Sequence, residues 1–192
     1  MTNRAVAAAL MALPLAACGL NSVPTAEETA KARWADVQNN YQRRADLIPN
    51  LVATVKGAGA QEKDILVQVT QARATASQVQ VAPEDLSDPA KMANYQRAQA
   101  GVSLSLQRLQ EAYPELKSQG NYATLMSQLE GTENRIVIAR KDYNDAVQAY
   151  NTRIRTFPDA IGAKIFYGAK PMVPFQATTP GAETAPTVNF GN

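Results

Sequence analysis

A helical pattern of apolar positions dominates the stretch from residue 121 to residue 158. Its members follow one another every three or four residues, with Thr132 in the one gap: Leu125, Leu129, Ile136, Ala139, Tyr143, Val147, Tyr150 and Ile154. Such spacing places side chains on one stripe of an α-helix, which other helices must cover. Asn121 is suited to cap the start of this helix, and Phe157-Pro158 to end it. The pattern therefore predicts a helix roughly 50 Å long, at about 1.5 Å per residue.

Two more helical patterns meet near Pro49. Thr25 and Glu28 fit a capping box, in which the threonine accepts a bond from an orphan amide and the glutamate reaches back. Inside a helix, Pro49 would deprive the carbonyl of Ala45 of its amide partner. If Asp46 caps a new helix, the proline falls in the first turn, where it costs little. The sequence thus predicts a break near Ala45. Because the apolar spacing continues in phase across it, one long helix kinked at Pro49 is the alternative.

The second helix is predicted to run to about Gln80, and a third lies between two prolines. Asp88 reads as the cap of the third helix, with Pro89 at its first position, and Pro114 ends it. Its stripe alternates steps of three and four: Met92, Tyr95, Gln99, Val102, Leu106, Leu109 and Tyr113. The predicted fold class is all-α, an up-and-down antiparallel four-helix bundle of long helices, or three long helices if the first is only kinked. An aromatic content of 6% agrees with helices rather than strands.

The N-terminus has the organisation of a secretory signal over residues 1–17. The apolar run after Arg4 is too short to span a bilayer, and small residues follow it. The sequence Leu-Ala-Ala-Cys that ends at Cys18 resembles the bacterial lipobox, which implies that Cys18 is lipidated and becomes the new N-terminus. An ordinary signal peptide cut after Ala17 is the alternative. By similarity to Gram-negative lipoproteins, Gly19 favours the outer membrane.

These features divide the chain into four parts. We expect a signal peptide over residues 1–17, a lipidated tether over 18–24, a helical bundle over 25–175 and a disordered tail over 176–192, where Thr, Pro and Gly are frequent. A small apolar group after the long helix is expected to pack on one end of the bundle: Ile161, Ile165, Phe166 and Tyr167.

Polar residues beside the apolar stripe are the best candidates for a site. Six of them form what we call the polar seam: Arg43, Arg44, Glu133, Arg140, Asn144 and Asn151. The last four are spaced by seven, four and seven residues, and so share one helix face. They could line a ligand groove or dock a partner. The interpretation that we favour is that they pair inside the bundle and fix which helices meet. Arg43 and Arg44 form a solvated face or pair with carboxylates such as Glu133.

The composition removes several kinds of chemistry. Histidine is absent and cysteine occurs once, which removes the commonest general base and metal ligand, an internal disulfide and a thiolate zinc cluster. A net charge of +2 argues against a nucleic-acid surface. The glycines at 57 and 59 lack the lysine of a phosphate-binding loop. We expect no enzyme, no cofactor, no metal and no nucleic-acid partner.

Two blocks of the sequence resemble the LemA family. The first is residues 41–52, YQRRADLIPNLV. The second begins with GTENRI at residues 131–136 and continues through Ala-Arg, two Tyr-Asn pairs and Phe-Pro up to residue 158. The resemblance covers roughly residues 32–175. It implies an up-and-down helical bundle on the outer side of a bacterial cytoplasmic membrane, with no settled activity and no catalytic residues. Family members usually carry an N-terminal transmembrane helix, from which the lipobox of this chain departs.

Together these observations predict a membrane-anchored helical scaffold of the bacterial cell envelope that faces the periplasm and binds another envelope protein. A small-ligand carrier with a pocket between helices is the alternative, and a hydrolase is a third hypothesis. An exposed apolar patch beside the polar seam would favour the scaffold. A closed apolar cavity would favour the carrier, and an unpaired pair of carboxylates in a cleft would favour the hydrolase.

Overall fold

The computed structural model describes residues 21–59 and 63–176, and the described chain is built from helices. In chain order these are α1 (Ser22–Gly57), α2 (Lys63–Gln78), α3 (Pro89–Ala112), α4 (Gly120–Arg153) and the short α5 (Asp159–Ile165). Single 3-10 turns precede and follow α3, at Pro83–Asp85 and Pro114–Ser118. A segment that we call the strap, residues 169–176, then runs back over the bundle. The predicted all-α class is confirmed. The signal peptide, Cys18 and the tail beyond residue 176 lie outside the described residues.

The four long helices form an up-and-down bundle. α1 packs along α4 so that Trp34 meets Tyr143 and Arg44 meets Glu133, which shows that the two helices are antiparallel. α2 and α3 pack against each other beside this pair, and α2 also contacts α1. Asp88 caps α3 as predicted, because its side chain accepts the amides of residues 90 and 91.

The predicted break near Ala45 is wrong, because α1 is continuous from Ser22 to Gly57 and contains Pro49. The proline removes the amide that would have bonded the carbonyl of Ala45. Arg73 on α2 replaces that amide: its Nε donates to the Ala45 oxygen at 2.7 Å. The chain turns after α1 instead, where Gly59 has a φ of +85° that glycine adopts without steric cost. Four long helices are present, and the first passes through Pro49.

The predicted ends of two helices also need correction. α1 begins at Ser22, with Asn21 before it, so Thr25 lies in its first turns and the predicted capping box does not start the helix. α4 begins at Gly120 after Gln119, so Asn121 is not its cap. The same helix ends at Arg153, before the predicted stop at residues 157–158.

Buried apolar side chains form two clusters that follow each other along the bundle. The aromatic cluster is built around five rings: Trp34, Tyr41, Tyr95, Tyr143 and Phe175. The aliphatic cluster is built around branched side chains of all four long helices: Ile48, Leu51, Val55, Leu66, Val69, Leu106, Leu109 and Leu129. The indole of Trp34 is fully buried, and its Nε1 donates to the carbonyl of Val81 at 3.0 Å. Its burial and this bond fix the loop before α3 on the bundle.

The stripe predicted on α4 is buried from Leu129 to Tyr150. At its two ends Leu125 and Ile154 are only half-buried. The apolar group expected to pack on the end of the bundle is exposed instead: Ile161, Ile165, Phe166 and Tyr167. The reason is that α5 turns its small residues, Gly162 and Ala163, towards the bundle.

Candidate functional site

Arg44 is the centre of a layer of polar side chains that separates the two apolar clusters. Its residue surface is 1% exposed. Its Nη1 donates to Ser103 Oγ and to Glu133 Oε1, both at 2.8 Å. Its Nη2 donates to the backbone oxygen of Gln99 at 3.0 Å and to the side-chain oxygen at 2.7 Å. The guanidinium also lies 4.9 Å from the ring centroid of Tyr41. We call Arg44, Gln99, Ser103 and Glu133 the polar layer.

The polar layer joins three helices by charge-assisted bonds. A buried guanidinium is tolerated only when its donors are satisfied and a carboxylate balances its charge. Arg44 on α1 meets both conditions through α3 and α4. A slip of either helix would leave this charge unpaired, so the bonds of the layer agree with the predicted role in fixing which helices meet, which stays a prediction.

Three buried phenols of the aromatic cluster stay neutral. Burial raises the pKa of Tyr41 and of Tyr95, so both remain protonated at neutral pH. Burial likewise raises the pKa of Tyr143, and its hydroxyl donates to the carbonyl of Val173 at 3.0 Å. The three phenols therefore contribute packing and carry no charge at physiological pH.

Two asparagines of α4 hold the strap by its backbone. Asn144 donates to the carbonyl of Phe175 at 3.1 Å and accepts its amide at 2.8 Å. Asn151 does the same to Met172, with both distances at 2.8 Å. Seven residues of helix advance by about 10.5 Å, and three residues of extended chain by about 10 Å. The heptad spacing of the two amides therefore matches a nearly extended backbone, and we call Asn144 and Asn151 the asparagine clamp.

Further contacts fix the strap between α4 and the loop before α3. The amide of Val173 donates to the carbonyl of Leu86 at 2.9 Å. Arg140 donates to the carbonyl of Gln176 at 3.0 Å, and its guanidinium lies 4.8 Å from the ring centroid of Phe175. The ring of Phe175 and the thioether of Met172 enter the aromatic cluster. The strap is therefore a structural part of the bundle.

The structure separates the polar seam into three groups. Arg44 and Glu133 form an ion pair, 2.8 Å apart, in the polar layer, which is one of the two alternatives predicted for the arginines. Arg140 and the asparagine clamp contact the strap rather than another helix. Arg43 is exposed on α1. Any binding role of the seam remains a prediction.

Sequence reasoning missed several residues that act here. Gln99 was read as a member of the α3 stripe, although an amide on an apolar stripe is itself a signal of an internal polar partner. Ser103 and Arg73 carry no comparable signal, because each is an ordinary polar residue on a helix whose partner lies far away in the chain. The strap residues Met172 and Phe175 were not assigned to the core.

An open cleft lies between α3 and α4 next to the polar layer. Its volume is about 610 Å³, and Glu133, Arg140 and Phe175 contribute to its walls. Leu104 and Val137 also line the cleft, and 51% and 64% of their surfaces are exposed. The cleft thus combines charged groups with apolar side chains that no other part of the described chain covers.

The described residues offer no site of two other kinds. Across residues 21–59 and 63–176, no group of three acidic, cysteine or histidine side chains is placed to hold a metal ion. Within the same ranges, no helix has an apolar stretch long enough to cross a membrane.

The comparison with family models identifies a family for this chain. The model of the LemA family matches residues 33–190 of the chain. The matched region contains the polar layer, the asparagine clamp and the strap, and it extends past the end of the resemblance predicted from the sequence. A search of curated proteins finds no match to this chain.

Proposed function

The chain belongs to the LemA family, and from this premise we propose that it is a membrane-anchored scaffold that binds another protein of the bacterial cell envelope. The family is one of helical, envelope-associated proteins whose biochemical activity is not settled. In this proposal a lipid on Cys18 anchors the chain, the bundle faces the periplasm, and Gly19 favours the outer membrane.

The cleft between α3 and α4 is the observation that carries the binding role. An exposed apolar patch beside the polar seam is what a docking surface requires, and Leu104 and Val137 supply it on two neighbouring helices. Arg140 and Glu133 give the cleft a charged edge that would orient a partner.

A small-ligand carrier finds less support in this cleft. Its walls include the guanidinium groups of Arg44, Arg97 and Arg140, and it is open to solvent. An apolar ligand would therefore remain partly in water, whereas typical small-molecule sites bury most of their ligand.

A hydrolase finds less support still. The LemA family is not known as a family of enzymes. Glu133 is the one carboxylate among the residues that line the cleft in the described chain, and Arg44 already binds it. We therefore propose a non-enzymatic role in which binding is the activity.

Photo-cross-linking in cells tests the docking surface. A photoreactive amino acid in place of Val137 should yield a discrete adduct with one envelope protein, and adding Leu104→Gln should remove that adduct. Val67 on α2 is the matched control, because 63% of its surface is exposed on a different face. The same adducts from both positions, or none from position 137 in a normally folded protein, would contradict the proposal.

A further inference from the structure

Large apolar side chains are concentrated at one end of the bundle. We call five of them the end patch: Phe157 (82% exposed), Ile161 (53%), Ile165 (68%), Phe166 (66%) and Tyr167 (43%). Single exposed apolar residues are ordinary on soluble proteins. Five within eleven residues form a patch that marks a protein or membrane contact.

The end patch lies at the end of the bundle that is nearest to Cys18 in the chain. α5 contacts α1, and Ala163 belongs to the same buried cluster as Val23 in the first turn of α1. Ser22 follows Cys18 by four residues. Four residues span at most about 14 Å when fully extended. A lipid chain on Cys18 would therefore hold this end of the bundle against the bilayer.

The charges around the end patch suit an anionic membrane surface. Exposed basic residues lie between residues 153 and 170: Arg153, Arg155, Lys164 and Lys170. Asp159 is the one acidic residue in that range, and it lies 4.0 Å from Arg153. The nearby carboxylates of α1, Glu27 and Glu28, are both bonded to Lys31. Aromatic and aliphatic side chains beside cations are the composition that enters the headgroup region of a bilayer.

From this position and chemistry we infer that the end patch is a membrane-contact surface that rests in the headgroup region of an anionic bilayer. The inference rests on the anchor in the proposed function, and it adds an orientation to it. With the end patch on the bilayer, α1 and α4 point away from the membrane. Val137 lies sixteen residues before the end of α4, so the cleft would stand about 24 Å above the patch.

Quenching by brominated lipids measures this contact. We would couple the chain from Cys18 onward through the cysteine to a maleimide lipid, in vesicles of phosphatidylcholine and phosphatidylglycerol. Each described helix begins after Cys18, so this form contains the whole described bundle. The variant Phe166→Trp reports on the end patch, and Val137→Trp is the matched control on α4. Trp34 is fully buried in both and contributes the same background.

Brominated lipids should reduce the Phe166→Trp emission by at least about twofold relative to the control, as expected for an indole at the interface. Omitting phosphatidylglycerol should weaken the quenching. Equal quenching at both positions, or none at position 166, would overturn the inference. Because the tether is made chemically, the result does not depend on lipidation of Cys18 in cells, which the mass of the N-terminal peptide tests separately.

Discussion

Asn144 and Asn151 bind the strap through its backbone, so their hydrogen bonds do not depend on which side chains the strap carries. Each amide forms a donor and an acceptor bond with one backbone residue of the strap. A carboxylate in these positions could only accept, and an alcohol would have to donate and accept through one oxygen, whereas a primary amide supplies a donor and an acceptor on two separate atoms in one plane. The seven-residue spacing of the two asparagines matches the distance between the two strap residues that they bind, Met172 and Phe175.

Removing either side of the asparagine clamp should loosen the strap. We expect Asn144→Ala and Asn151→Ala each to lower the free energy of unfolding by about 1–3 kcal/mol, because backbone groups of the strap lose their partners. Amide hydrogen exchange at Met172 and Phe175 should become faster. Asn134→Ala is the matched control, because Asn134 is exposed on the same helix.

Slow exchange at Met172 and Phe175 in both variants would show that the buried side chains alone hold the strap. An unchanged denaturant midpoint together with a lost cross-link would mean instead that the asparagines serve an external partner.

At the scale of the element, α1 shows how tertiary contacts override a local rule. A proline in the interior of a helix costs about 3 kcal/mol or more, largely through the bond that it removes and the clash that it creates. Arg73 restores a partner to the freed carbonyl of Ala45, and it comes from a residue 28 positions away. Contact with α2 thus supplies a hydrogen bond in place of the one that α1 loses at Pro49.

This account predicts energetic coupling between Pro49 and Arg73. Arg73→Met should destabilise the protein, because it leaves a half-buried carbonyl without its donor. In a Pro49→Ala background the amide of residue 49 returns to that carbonyl, so the same change should cost less. We expect a coupling energy of about 1 kcal/mol in a double-mutant cycle measured by denaturant unfolding.

Additive effects of the two changes would mean that the bond from Arg73 does not compensate for the proline. Arg43→Met is the matched control, since Arg43 is exposed on α1 and should show no coupling to position 49.

The same contrast explains which parts of the fold could be predicted. The α4 stripe and the Asp88 cap depend on residues within one or two turns, so local spacing was sufficient for both. The passage of α1 through Pro49 depends on Arg73, and the burial of Arg44 depends on Gln99 and Ser103. These partners become neighbours only after the helices pack, so the spacing of residues along one helix does not predict them.

The strap was the least predictable part for a different reason. Its main bonds are made by backbone groups, which every residue possesses. The sequence analysis assigned Asn144 and Asn151 to the polar seam on α4. No pattern in the sequence indicated that these two residues bind the strap. Met172 and Phe175 stand outside any helical periodicity, so only the folded chain shows that they complete the aromatic cluster.

At the scale of the whole molecule, most of the large exposed apolar side chains lie in two places, at one end of the bundle and along one open side. One end carries the end patch and lies close to Cys18 in the chain. The open side carries the cleft between α3 and α4, with its exposed Leu104 and Val137. The 36 residues of α1 give the bundle a length of about 54 Å. We propose that the anchored end holds this rod at the membrane while the cleft meets a partner above it.

The anchor is the central claim, and the mass of the N-terminal peptide tests it most directly. Protein recovered from the membrane fraction should begin at a lipid-modified Cys18, with residues 1–17 removed. Cys18→Ser should leave the protein without that modification and shift it out of the membrane fraction or block its processing. An N-terminus cut elsewhere, or Cys18 recovered with a free thiol from membranes, would contradict the account.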